Sequence, residues 1–379
     1  MSRTATLLPG DRIRAFVLLP ALTAILSVPG LLVAQEPDAS ARKPDPAAVQ
    51  HYSKGLELLQ NRDFRNAAIA LEQAVNTDST YGDAHYALGK TCKTLNQFDR
   101  AIRAFEAAAR HGVSSERASQ HITAQLADVY KKSAVQSFKQ KKFREAIGRF
   151  EKALELKPGD ADVFYLLGLC YNALREDAEA ASAFQDAIDA DSTYVKALKS
   201  LADLQRRQGN LRAAAGTYRR AVALDPAYTK AYLGLAKVQI DSEDLDGALS
   251  TLNSAVEVDP EFLQGLCLIG QTLSQKGRYH EAIEPLQRAL DVDGKHAEAH
   301  FRLAEAYYGT GDWKKALGAG LEATRLQRNY HAAEVVVADS YNKLGQVPEA
   351  RTWYNKARQD SRFRDWCEQQ LKELDRQQP

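Results

Sequence analysis

Cysteine, proline, glycine and net charge are all scarce in this chain, and each scarcity excludes a class of protein. Four cysteines in 379 residues are too few for a small disulfide scaffold. Twelve prolines and 22 glycines exclude a collagen-like or low-complexity chain. The charges nearly cancel, with 50 Lys+Arg against 49 Asp+Glu, so no bulk field draws the protein to nucleic acid. A composition that is 45% hydrophobic and 26% charged excludes a largely disordered chain. What is left, once the N-terminus is set aside, is a soluble helical protein.

Residues 1–34 read as a secretory signal. Arg3, Arg12 and Arg14 precede an apolar stretch from Ala15 to Val33 that ends at the small residue Ala34. A short apolar helix behind positive charge is what the export machinery inserts, and a small residue suits the cut. Pro20 and Pro29 interrupt the stretch, which favours a cleaved signal; its length keeps a retained anchor as the alternative. Residues 35–47 carry Pro37, Pro44 and Pro46, have no apolar periodicity and read as a flexible tether.

Small residues recur at a fixed step through the rest. Ala67, Ala101, Ala146, Ala180, Ala214, Ala248, Ala282, Ala316 and Ala350 are 34 residues apart, except for one step of 45. Each has an Ala seven residues later and a Gly or Ala twelve residues earlier, from Gly55 and Gly89 to Ala304 and Ala338. The pattern predicts two short antiparallel helices per repeat, crossing so closely that only a small side chain fits. Asn96, Gly209, Gly277, Gly311 and Gly345 fall in the turn between them. Pro158, Pro226 and Pro260 follow second helices that they cannot continue.

The nine repeats run 48–81, 82–115, 127–160, 161–194, 195–228, 229–262, 263–296, 297–330 and 331–364. Eleven extra residues fall near 112–126. No Gly or Pro occurs from Ser115 to Lys141, and Ile122, Leu126, Val129 and Ala134 keep helical spacing. One long helix, capped by Ser114 or Ser115, is therefore expected to enter the third repeat. Residues 362–377 are expected to form a charged helix covering the open end of the array.

This pattern resembles the tetratricopeptide repeat family, in an exported bacterial form. The repeat at 161–194 carries the motif as Phe164, Leu167-Gly168, Tyr171, Ala180, Phe184 and Ala187, and the one at 82–115 gives Leu88-Gly89, Ala101, Phe105 and Ala108. The resemblance implies an all-α, right-handed superhelix (α-solenoid) of helix–turn–helix repeats and a non-catalytic scaffold for protein partners. In the family the first helices line a concave groove. Read at the corresponding positions, that groove is Tyr52, Tyr86, Lys90, Lys93, Lys131, Phe138, Tyr165, Lys199, Arg206, Lys237, Phe301, Glu305 and Tyr308. It is expected to be basic and aromatic over the earlier repeats and acidic at the last ones. Such a surface suits a partner peptide or helix, with rings on apolar side chains and ions on ions. A merely solvated charged face is the alternative.

Few residues of the chain carry a chemical signature. Cys92, Cys170, Cys267 and Cys367 belong to no CxxC pair and read as apolar filler. His296 and His300 lie four apart, but His296-Ala-Glu-Ala-His300 lacks the His-Glu-x-x-His order of a zinc protease. Gly309-Thr310-Gly311-Asp312 has no Gly-Lys-Ser/Thr ending and falls in an inter-helix turn. The expectation is therefore a protein that is no enzyme, with no cofactor, no metal and no nucleic acid, touching membrane only through an uncleaved N-terminal segment. Export suggests a periplasmic or envelope-associated protein for envelope assembly, secretion or pilus biogenesis. The alternative is an accessory of polysaccharide export or binding.

Overall fold

The computed structural model describes residues 43–376. The expected signal, most of the tether and residues 377–379 lie outside the described residues. The chain divides into two halves, one ending at Ala197 and the other beginning at Leu198. Among the described residues both contain helices and turns and no strand.

The first half holds α1 (Pro46–Gln60), α2 (Phe64–Thr77), α3 (Gly82–Thr94), α4 (Phe98–His111), α5 (Glu116–Lys139), α6 (Phe143–Leu156), α7 (Ala161–Ala173) and α8 (Asp177–Ala190). Several starts are written into the sequence as carboxylate or hydroxyl caps. Asp45 accepts from the Ala47 N–H at 2.8 Å, Asp63 from Asn66 at 3.2 Å and Asp160 from Val163 at 3.2 Å. Pro46 and Ala47, read from sequence as the tail of the tether, form the first turn of α1. Asp45 caps that turn, and proline at a helix's first position gives up an N–H that would be unpaired anyway. The eleven extra residues become the front of α5, a 24-residue helix capped by the Ser115 hydroxyl. Ile122 and Leu126 on that extension are buried.

The second half holds the continuation of α9 (Val195–Arg207), then α10 (Leu211–Leu224), α11 (Thr229–Asp241), α12 (Leu245–Val258), α13 (Leu263–Gln275), α14 (Tyr279–Val292), α15 (Ala297–Gly309), α16 (Trp313–Leu326), α17 (His331–Lys343) and α18 (Val347–Ala357). A final helix, α19 (Ser361–Arg376), packs Cys367 and Leu374 onto Tyr354 and Ala338.

The turn between paired helices needs one left-handed residue. Glycine takes it at Gly209, Gly277, Gly311 and Gly345, and Asn96 takes it at φ 56°. Arg62, Lys141, Arg175 and Glu243 occupy the same place with φ between 58° and 63°, a turn signal that the sequence hides. The helices then cross where the small residues recur, and Ala134, Ala202, Ala236, Ala304 and Ala338 are fully buried there. Large side chains opposite them fill the core: Phe105, Phe150 and Phe184 in the first half, Leu252, Leu266 and Leu286 in the second.

All four cysteines are buried and free. Burial pushes the Cys170 thiol up to about 12 and those of Cys267 and Cys367 to about 11, which suppresses the reactive thiolate. The two histidines with metal-like spacing are engaged by backbone. His296 caps α15, its Nδ1 accepting from Ala299 N–H at 3.2 Å, and His300 Nε2 lies 3.1 Å from the Gly294 carbonyl. His85 repeats the second arrangement, 3.0 Å from the Ser79 carbonyl, so this slot ties a helix's first turn to the loop before it.

Candidate functional site

The first helix of each pair carries the residues singled out from sequence, and most of them already have partners. In the first half, Lys93 on α3 reaches Asp128 on α5 at 2.5 Å and Gln125 at 2.8 Å. Lys131 on α5 reaches Asp160 at 3.0 Å and Asp162 at 3.4 Å, just ahead of and within α7. In the second half, Lys199 pairs with Asp203 at 2.5 Å and Arg206 with Asp241 at 2.6 Å. Lys237 is exposed and has no ion-pair partner among the described residues. Lys90 is exposed, its Nζ 5.7 Å from the Tyr86 ring centroid.

The expected basic groove is thus largely neutralised: Lys93, Lys131, Lys199 and Arg206 each face an acid carried by their own or a neighbouring helix. Such half-exposed pairs contribute about 0–1 kcal/mol each, so they set charge pattern more than stability. They do leave a pH signature. Burial alone would raise the Asp128 carboxyl, but hydrogen bonds from Lys93 and Lys132 bring it below its ordinary value. The Tyr194 hydroxyl, and with it Lys131, lowers Asp162 against burial. A folded value below the unfolded one gives stability that is present above the ordinary carboxylate value of about 3.9 and lost as the pH falls through the lowered value. Asp128→Asn combined with Asp162→Asn should therefore flatten the acid side of a plot of urea midpoint against pH. An acid limb as steep as that of the parent would contradict these pairings.

The expected groove aromatics are likewise spoken for. Tyr52 packs on Tyr81 with centroids 5.1 Å apart, Tyr165 on Tyr194 at 5.3 Å, and Phe301 on Tyr330 at 5.0 Å. Tyr86 meets Phe105 and Phe138 meets Phe143 edge-on, at 5.8 and 5.7 Å. Phe301 is only 5% exposed and is withdrawn from the face by this packing, which corrects its assignment as a contact residue. The others are half-buried and present one edge.

Glu305 and Tyr308 end in a different setting, a cleft of about 390 Å³ between α13, α15 and α17 in the second half. Its floor is an ion cluster: Arg302 lies 3.0 Å from both Glu298 and Glu305, its guanidinium 4.9 Å from the Phe301 ring centroid. Burial pushes the Glu305 carboxyl up, with the Arg302 charge opposing it. Gly309 shapes one wall, because a Cβ there would lie 2.3 Å from the Tyr279 ring, so only glycine lets that ring rest against α15. Gln271, Ser274 and Gln275 supply the α13 side. The Ser274 Oγ is buried and has no hydrogen-bond partner among the described residues. An unpaired buried hydroxyl costs about 1–3 kcal/mol.

Sequence reading missed Gln271, Ser274 and Gln275. They stand at the ninth, twelfth and thirteenth positions of the repeat at 263–296, the same positions used to pick the other groove residues. Being neutral, they gave no charge or ring signal. Among the described residues no group of three His, Cys, Asp or Glu is arranged to hold a metal, and no helix is long and apolar enough to cross a membrane.

Comparison with known proteins agrees with this architecture. Tetratricopeptide repeat models match residues 52–112, 138–195, 205–264 and 267–331. No curated protein sequence matches the chain. Among solved structures, a tetratricopeptide repeat protein from Parabacteroides merdae is 13% identical with a TM-score of 0.50, over 65% of this chain and 98% of that one. The pilF protein of Pseudomonas aeruginosa is 17% identical with a TM-score of 0.49, over 57% and 99%. YrrB, a repeat protein with an unusual peptide-binding site, is 21% identical with a TM-score of 0.41, over 48% and 95%. At these identities the likeness concerns fold alone. With its family models matched across more than half of the chain, and helical hairpins throughout the described residues, this protein belongs to the tetratricopeptide repeat family of protein-interaction scaffolds.

Proposed function

We propose that the protein is a non-catalytic scaffold whose first-helix face holds an extended or helical segment of a partner protein, with the α13–α15–α17 cleft gripping the segment's main chain. The observation that carries this reading is the unpaired Ser274 Oγ beside the Gln271 and Gln275 amides and the Tyr308 ring. Neutral donors and acceptors in a half-enclosed cleft suit peptide N–H and C=O groups, which need partners once water is displaced. The neutralised cations around the face leave shape and hydrogen bonding, more than net charge, to select the partner. The basic and apolar start of the sequence supports an exported protein, periplasmic or envelope-associated, with a retained anchor as the alternative. Envelope assembly, secretion or pilus biogenesis is the process that fits such a scaffold.

A second reading, an accessory of polysaccharide export or binding, draws on the same groups, since Gln, Ser and Tyr also pair with sugar hydroxyls. Capture from an envelope extract by the chain from Gln35 onward, beside a Ser274→Phe variant that fills the cleft, separates the two. A protein retained by the parent and lost by the variant is the expected result. Retention of glycan alone would transfer the assignment to the second reading, and equal retention of a protein by both chains would remove the cleft from it.

A further inference from the structure

A larger cleft, about 700 Å³, opens on the second helices of the same half, between α16, α18 and the turn leading into α17. Three cations line it from three separate segments: Arg325 on α16, Arg328 in the turn and Lys356 on α18. Arg328 is exposed and has no ion-pair partner among the described residues. The Lys356 Nζ sits 3.9 Å from the Trp353 ring centroid, held over the indole with its N–H donors unspent. Arg325 shares its charge with Glu322 at 2.5 Å. The carboxylate in the wall, Glu334, is buried and turned to His331 Nδ1 at 2.8 Å. Here α18 is 11 residues long where α16 is 14, and the chain then continues into α19.

We propose that this cleft binds an acidic peptide segment of a partner protein. Carboxylates along the segment pair with Arg328 and Lys356, beside the Arg325–Glu322 pair, and the side-chain amides of Asn329 and Asn355 take main-chain groups. The cations come from three segments around one open cleft. That spread matches carboxylates distributed along a chain better than a single compact phosphate. Trp353 adds an apolar edge for a neighbouring side chain. The site uses none of the first-helix face, so it stands whether or not that face binds a segment.

The test is fluorescence anisotropy of a labelled short peptide of alternating Glu and Ala against the chain from Gln35 onward, at low and high salt. The parent should bind, more weakly as salt rises. Arg328→Glu combined with Lys356→Glu should lose at least about tenfold in affinity with an unchanged far-ultraviolet circular dichroism spectrum. Arg65→Glu combined with Arg117→Glu, at two exposed cations of the first half, should bind like the parent. Should the charge reversal unfold the chain, Arg328→Gln with Lys356→Gln carries the same expectation with a smaller loss. The proposal falls if the parent does not bind the peptide, if the cleft variants bind as well as the parent, or if the Arg65 and Arg117 changes weaken binding equally. A uronic-acid oligosaccharide binding through Arg328 and Lys356 in place of the peptide would also overturn it.

Discussion

Phe184→Ala should destabilise the first half by about 3–5 kcal/mol, among the largest effects available to a single substitution in this fold. Phe184 is 1% exposed on α8, and its ring fills the space that Gly168 leaves open on α7. A Cβ at 168 would stand 2.6 Å from the ring carbons, closer than real side chains approach. The pair is therefore a lock with one large and one absent side chain, and truncating the large one leaves a cavity that two crossed helices cannot collapse. Gly168→Ala acts from the other side, forcing the ring aside at about 1–3 kcal/mol. Because both changes act on one contact, Gly168→Ala with Phe184→Leu should cost less than the sum of the two singles. Urea unfolding of the full chain measures all of this. Strict additivity, or a loss under about 1 kcal/mol for Phe184→Ala, would show that the crossing is not packed as described.

Ending the chain after Asp360 should have the next largest effect. Residues 361–376 form α19, and with it go Cys367 and Leu374, 0% and 1% exposed, as well as the half-buried Phe363 and Leu371. Each fully buried apolar side chain is worth about 1.5–3 kcal/mol, so the loss amounts to several kcal/mol, as an upper estimate. The polar consequence adds to it. Burial pushes the Asp339 carboxyl up, against hydrogen bonds from Tyr354 and Trp366, and the truncation removes the Trp366 donor. The Arg351–Asp375 contact at 2.6 Å goes as well. The shortened chain should melt lower and self-associate through the uncovered Tyr354 and Ala338 surface. A truncated chain that stays monomeric in sedimentation and melts with the parent would show that α19 is an appendage and not a cover.

These predictions draw on features of differing legibility. The closeness of the helix crossings could be read from Gly168 and its counterparts, because a small residue at one point of a 34-residue period has few explanations besides steric exclusion. The long α5 could be read from an unbroken run without Gly or Pro behind a serine. The left-handed turn residues could be read only where Gly or Asn stood. Arg175 and Glu243 take the same conformation because the helix on either side dictates it, and their side chains carry no such preference.

The candidate site was less legible. Position within a repeat placed Lys93, Lys131, Lys199 and Arg206 on the first-helix face, but not the acids they meet. Three of those pairings, Lys93–Asp128, Lys131–Asp162 and Arg206–Asp241, cross from one repeat to the next, and Asp160 lies outside the helix altogether. Phe301 stands at a groove position of its repeat, whereas Tyr330 covers its ring. The sequence by itself therefore determined the class of fold, the spacing of the hairpins and the small residues at their crossings, since these follow from local periodicity and excluded volume. Only the tertiary structure decided which charges cancel, which rings are covered and where Ser274 is left unpaired. Those depend on how neighbouring repeats stack and which rotamers they allow, and neither is encoded at a single position of the period.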